Sequence, residues 1–322
     1  MSAESSREFL RLAVKVGGGV LLLLALLFVI LFAYVSHEKR KWDNLTDTHD
    51  LRQRATDMAE GYVASRPHAA LVIGVTQRGR RAVLGIGWAN TNNTASPDAH
   101  TQFEIGSVSK VFTALALARL ERDGQVKLTD TLRAVLPEKI ALAAALEPVT
   151  LLHLATHTAG LPRLPDNLDL SAANLANPYA NYHAAELHQF LATAKLNHPP
   201  GQLADYSNVG FALLGHALSL KAAQPYEALA RGAVLDPLGL TNTTIFLSDA
   251  QRARLAPGHS PKGERVPGWD FDVFAPAGAF HSDAGDLLTL LEANFRDAET
   301  PVARTLARAE VKERLLQAGI EV

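Results

Sequence analysis

The chain has 322 residues, 48% of them hydrophobic and 20% charged, with Lys+Arg 31 set against Asp+Glu 33. So even a charge balance excludes a protein that grips nucleic acid by neutralising phosphates, and the absence of Cys excludes a disulfide framework, a thiolate metal site and a lipidated cysteine anchor. The length suits one large domain or two of ordinary size.

The first predicted element is a membrane helix. Gly17 to Val35 reads GGGVLLLLALLFVILFAYV, 19 residues without a charge, and at about 1.5 Å per residue it nearly crosses a hydrocarbon core of roughly 30 Å. A cleavable signal has a shorter apolar core, about 7 to 15 residues, followed by a small-residue site that Ala33-Tyr34-Val35 does not resemble. The expectation is therefore a retained anchor over 17–35, an N-terminal arm over 1–16 and a linker over 36–54. Charge does not orient the helix, because Arg7, Arg11 and Lys15 precede it and Lys39, Arg40 and Lys41 follow it. Residues 1–41 hold six bases and three acids, leaving 25 bases and 30 acids in a mildly acidic body.

From Trp42 to about Pro67, apolar residues Leu51, Ala55, Met58, Ala59 and Tyr62 recur at a loose helical period. Ala69 to Thr76 and Ala82 to Trp88 are short apolar runs rich in β-branched residues, separated by Gln77-Arg78-Gly79-Arg80-Arg81, which predicts a hairpin. Helices are predicted over 111–122, 151–157, 185–196, 209–220, 226–235 and 284–295, each with apolar residues at three-to-four spacing and with Pro and Gly between them. A strand pair at the start, a large helical region after it and further strands late in the chain make an α+β fold.

Candidate chemistry begins at Phe103-Glu104-Ile105-Gly106-Ser107-Val108-Ser109-Lys110. The segment enters an apolar helix, so Ser107 sits at its first turn with Lys110 three residues on, along the same face. A serine hydroxyl is a weak nucleophile until a base takes its proton, and a lysine held in a partly desolvated pocket can act as that base. The helix N-terminus adds N–H groups that favour an oxyanion. Alone, such a pair also fits a helix cap beside a solvated lysine. Further along, Tyr206-Ser207-Asn208 offers a phenol and an amide at i, i+2 where a loop enters the helix from Val209. His153 and His157 stand at i, i+4, a zinc-chelating spacing, but position 154 is Leu where the metalloprotease pattern needs Glu. Neither a metal nor a cofactor is expected. Ser107 also lacks the G-x-S-x-G elbow of α/β-hydrolases, since Ile and Ser occupy positions 105 and 109.

Taken together, Ser107-Val108-Ser109-Lys110, Tyr206-Ser207-Asn208, the His157-Thr158-Ala159-Gly160-Leu161-Pro162 turn, Asp236-Pro237-Leu238-Gly239-Leu240 and Pro276-Ala277-Gly278 resemble, in order, the serine β-lactamase and penicillin-binding-protein superfamily. The resemblance is to its class C branch, which also contains DD-peptidases and esterases, and it covers about residues 55–308. It implies that Ser107 is acylated, that Lys110 accepts its proton, that Tyr206 shuttles protons to the leaving group and activates water, and that Asn208 binds the substrate amide. The implied substrates are a β-lactam, a D-Ala-D-Ala peptide or a small ester. The implied location is the cytoplasmic (inner) membrane, single-pass, with the N-terminus inside and the hydrolase outside.

One part of the pattern is missing. The superfamily carries a third motif, a strand bearing Lys or His, then Ser or Thr, then Gly, which walls the site and supplies a second oxyanion donor. No such triplet follows Asn208: Lys262 precedes Gly263 and Glu264, and His281 precedes Ser282 and Asp283. Residues 309–322 form a charged, divergent tail where late strands are expected. The expectation is a C-terminally shortened hydrolase, with a catalytically silent penicillin- or peptidoglycan-binding relic as the alternative.

Overall fold

The computed structural model describes residues 48–64, 66, 69–77, 79–89, 95–171, 174–260 and 262–293, together with Tyr34 and Ser36. The predicted membrane helix over 17–35 therefore lies, apart from Tyr34, outside the described residues, as does the tail 309–322. Among the described residues no helix is long and apolar enough to cross a membrane. The chain divides into two compact units, Met1–Arg54 and Ala55–Val322, and the candidate site belongs to the second.

Helix α1 spans Thr48–Ala64 and buries Ala55 and Ala59. The hairpin follows, with β1 over Ala70–Gln77 and β2 over Arg80–Gly87, paired antiparallel so that Leu71 faces Ile86 and Ile73 faces Leu84. Its connection is shorter than the five residues that the Gln77–Arg81 pattern suggests, because Gln77 and Arg80 are themselves paired. Among the described residues no third strand joins this pair.

The helical body is built on α2 (Ser109–Arg122), α3 (Leu151–Ala155), α4 (Ala184–Thr193), α5 (Asn208–Ala222) and α6 (Tyr226–Ala230), which runs on into π-helical Arg231–Leu235. α5 is apolar almost all round and buries Val209, Phe211, Leu213, Leu214 and Leu218, as a helix enclosed by others does. Its partners in the main core include Leu151, Leu154, Leu187, Phe190 and Phe274. A second cluster gathers Phe112, Leu115, Val234, Leu240 and Phe280.

A short helix α7 (Ala275–Gly278) packs against both α2 and α5. Its approach to α5 depends on Gly215: a Cβ there would lie 2.1 Å from Pro276 Cγ, far inside contact distance. Two-residue strands β3 (Phe103–Glu104) and β6 (His281–Ser282) pair antiparallel and bracket the entry to α2, while β4 (Gly258–His259) pairs with β5 (Arg265–Val266). α8 (Ala284–Ala293) then packs on β1. Arg81 clasps Glu292 through Nε and Nη2 at 2.7 and 2.6 Å, and Thr76 Oγ1 donates to the same carboxylate at 2.7 Å.

Candidate active site

Ser107 does not start the α-helix itself. It sits in a 3₁₀ turn, Gly106–Val108, immediately ahead of α2, and Gly106 adopts φ 50, a left-handed conformation that glycine takes without a Cβ penalty. Lys110, the second residue of α2, stands three positions on from Ser107. Lys110 Nζ donates to Ser107 Oγ at 3.1 Å. No cap hydrogen bond from a side chain is made at this turn, so Ser107 is not serving as a helix cap.

Three residues of α2 tie the Pro-Ala-Gly segment to this turn. Ser109 Oγ accepts from Phe280 N–H at 3.0 Å, Lys110 Nζ donates to the Ala277 carbonyl at 2.6 Å, and Thr113 Oγ1 donates to the Pro276 carbonyl at 2.8 Å. Ile105 N–H completes the set by donating to the Phe280 carbonyl at 3.0 Å. Lys110 is accordingly buried, and desolvation, reinforced by the Arg163 charge, lowers its pKa from 10.5 to about 7.

Tyr206 arrives from the loop before α5 and donates its hydroxyl to Ser107 Oγ at 2.6 Å. Ser107 Oγ therefore receives hydrogen bonds from Lys110 and Tyr206 together, and Lys110 Nζ lies 4.8 Å from the Tyr206 ring centre. The loop is fixed by Ser207, whose Oγ accepts from Gly210 N–H at 2.9 Å as the cap of α5 and donates to the Pro162 carbonyl at 2.7 Å. Asn208 is anchored through its N–H on the Arg163 carbonyl at 2.9 Å. Its amide nitrogen donates to Tyr179 Oη at 3.4 Å, while its buried Oδ1 has no hydrogen-bond partner among the described residues.

The two histidines of the 153–157 segment do not share a helix face. α3 opens with a reciprocal cap in which Thr150 Oγ1 accepts from His153 N–H and His153 Nδ1 accepts from Thr150 N–H, each at 3.2 Å. It ends at Ala155, short of the predicted 157, because His157 takes φ 58. His157 Nδ1 then accepts from Ser207 N–H at 3.0 Å, with its ring against Tyr206 and Phe211 at centroid distances of 4.5 and 4.9 Å. Burial, with Lys110 adding to it, lowers its pKa to about 4, so it packs as a neutral ring.

A cavity of about 370 Å³ opens in front of Ser107 and Asn208, walled by Tyr179, Trp269, Phe271 and Phe274. Glu104 is the one charged residue of its lining. Such an arrangement can bring a carbonyl carbon against Ser107 Oγ, remove the hydroxyl proton and hold an apolar group. All four residues predicted from sequence, Ser107, Lys110, Tyr206 and Asn208, meet here. Sequence reasoning gave no role to the Ala277 carbonyl, to Arg163, whose guanidinium lies 5.0 Å from the Tyr206 ring centre, or to the aromatic wall. The Pro276-Ala277-Gly278 match was the available signal for the first of these.

A serine at a helix entry, bonded by a lysine of the same helix and a tyrosine of a loop, in an α+β body, defines the serine β-lactamase and penicillin-binding-protein class. Residues 55–320 match the family model described as "Beta-lactamase", and the chain belongs to that family. It is 30% identical over 263 residues to a β-lactamase of Pseudomonas fluorescens, an alignment that covers 80% of this chain and 69% of that protein. It is also 33% identical over 178 residues to the D-alanyl-D-alanine-carboxypeptidase/endopeptidase AmpH of Escherichia coli, covering 55% of this chain and 45% of that one. Among solved structures, D-alanine carboxypeptidase AmpC from Burkholderia cenocepacia superposes with TM-score 0.70 at 26% identity, over 81% of this chain and 70% of the other.

Proposed function

We propose that the chain is a serine hydrolase that forms an acyl-enzyme at Ser107 with a β-lactam, a D-Ala-D-Ala peptide or a small ester. The observation that carries this reading is the double hydrogen bond onto Ser107 Oγ, from Lys110 at 3.1 Å and Tyr206 at 2.6 Å. With a pKa of about 7, Lys110 is partly neutral at physiological pH and can take the serine proton as Oγ attacks the carbonyl carbon. The N–H groups at the entry to α2 favour the negative charge that forms on the carbonyl oxygen. As the tetrahedral species collapses, Tyr206 hands a proton to the departing amine or alkoxide. Water then replaces the leaving group and loses a proton along the same path, which frees Ser107. Asn208 lines the cavity and is placed to bind a substrate amide once its side-chain amide, whose Oδ1 is buried in this conformation, turns toward the ligand.

The apolar run over 17–35 supports a membrane anchor, and the family resemblance rather than the flanking charges supports the cytoplasmic membrane with the N-terminus inside and the hydrolase outside. Alkaline phosphatase fused after residue 60 tests the topology: enzyme activity agrees with it, and an inactive fusion overturns it.

A second reading is favoured by one specific observation. No Lys- or His-led triplet follows Asn208 in this sequence, and no Lys, Arg or His is among the described residues that line the cavity. If the site works without a second oxyanion donor, turnover falls by about 10² to 10³, and the chain holds its ligand covalently with little release. A fluorescent penicillin separates the two. Labelling of Ser107 that decays as product appears supports the hydrolase, and lasting stoichiometric labelling supports the binding protein. A folded chain that takes no label from this probe or from activated esters sinks the acyl-enzyme reading altogether.

A further inference from the structure

We propose that His188 and His216 form a binding site for a divalent transition-metal ion that fastens α4 to α5. Neither residue lines the Ser107 cavity, and nothing in the acyl-transfer reading uses them. They stand 28 positions apart in sequence and on different helices, yet their Nε2 atoms face each other at 2.9 Å, with ring centres 5.1 Å apart and planes inclined by 56°. Two nitrogens at that separation, each about 2.0 to 2.1 Å from a metal, subtend roughly 90°, the angle between adjacent ligands of a square or octahedral site. A slight opening of the pair reaches the tetrahedral angle that zinc prefers.

In the 2.9 Å contact one Nε2 donates and the other accepts, so the donor ring must shift its proton to Nδ1 before both Nε2 atoms offer a lone pair to a metal. A metal needs the free lone pair of a neutral imidazole. Burial lowers the pKa of His188, with Lys139 adding to it, and burial with His188 beside it lowers that of His216 to about 4. Asp272 is the opposing charge felt by His216, and it is held by His183, whose Nδ1 lies 2.5 Å from Asp272 Oδ2. The described residues contain no group of three or more His, Asp or Glu suited to a metal, so the protein supplies two ligands and water completes the shell. Imidazole donors select Cu²⁺, Ni²⁺ and Zn²⁺ over Mg²⁺ and Ca²⁺, in the affinity order Cu²⁺ first.

The test uses the full chain freed of any affinity tag. With CuCl2, electron paramagnetic resonance is expected to show one copper per chain, with hyperfine splitting from two imidazole nitrogens. With NiCl2 or ZnCl2 at roughly ten times the dissociation constant, the thermal midpoint is expected to rise by about 3 to 5 °C. His188→Ala and His216→Ala should each remove both effects while keeping the far-UV spectrum. The proposal is overturned if wild type shows no two-imidazole copper signal, if both single variants retain it, or if the variants lower the midpoint equally with metal and with EDTA. The last two outcomes assign the pair to an ordinary imidazole–imidazole hydrogen bond.

Discussion

The helical body and the β1–β2 ribbon are held together in different ways. In the body, Ser109, Lys110 and Thr113 each bond to a separate backbone group of the 276–280 segment, and the cores around Phe211 and Phe112 exclude water almost completely. In the ribbon, most residues of both strands are half-buried, and the cover is α8 with its Arg81–Glu292 clasp. Two strands alone are marginal in water, so the ribbon relies on that helix. No lining residue of the cavity comes from β1 or β2. The nucleophile and its proton partners can therefore be complete on the helical side whatever the width of the sheet.

The comparison breaks first at the nucleophile. Ser107→Ala should reduce covalent labelling by a fluorescent penicillin by about 10⁴-fold or more, and labelling at another residue would show that the helical side does not hold the reactive centre. Lys110→Met and Tyr206→Phe should each lower the acylation rate by about 10² to 10⁴, read by stopped-flow fluorescence. In the native chain the same rate should climb as pH rises through about 7, where Lys110 loses its proton, and Lys110→Met should remove that limb. The sign for stability follows from the same shift. Between about 7 and the ordinary lysine value of 10.5 the unfolded chain binds the extra proton, so Lys110 makes stability rise with pH across that window, and Lys110→Met should flatten the rise in urea titrations.

Packing differences come next. Phe190→Ala in the main core should cost about 3 to 5 kcal/mol, measured by chemical denaturation. Arg81→Ala on the ribbon should cost on the order of 1 kcal/mol, since its guanidinium is partly in solvent. Its sharper signature is faster amide exchange confined to β1 and β2. Equal exchange across ribbon and body would contradict the contrast drawn between them.

How much of this was legible depended on distance along the chain. Ser107 and Lys110 lie three apart, and helical period alone puts them on one face. Tyr206 is 99 positions from Ser107, and only the joint order of several motifs joined the two. The Ala277 carbonyl, 167 positions from Lys110, carries no residue-type signal, because every residue has a carbonyl. The helix predicted over 151–157 ended early for a local reason, the left-handed His157, a conformation that histidine adopts more readily than most residues with a side chain. The helix predicted over 226–235 lost its regular ladder at Arg231–Leu235, and the two-residue pair β3–β6 is too short for any alternation to register.

Gly215 has no functional group and touches neither Ser107 nor Lys110, yet it acts as a spacer gauge for both. With only 2.1 Å available between a Cβ at this position and Pro276 Cγ, a single methyl would push the proline back by about 1.5 Å to reach ordinary carbon–carbon contact. The next residue after that proline is Ala277, whose carbonyl steers the lysine ammonium. The tolerance of the proton-transfer geometry is thus written into an atom that is not there.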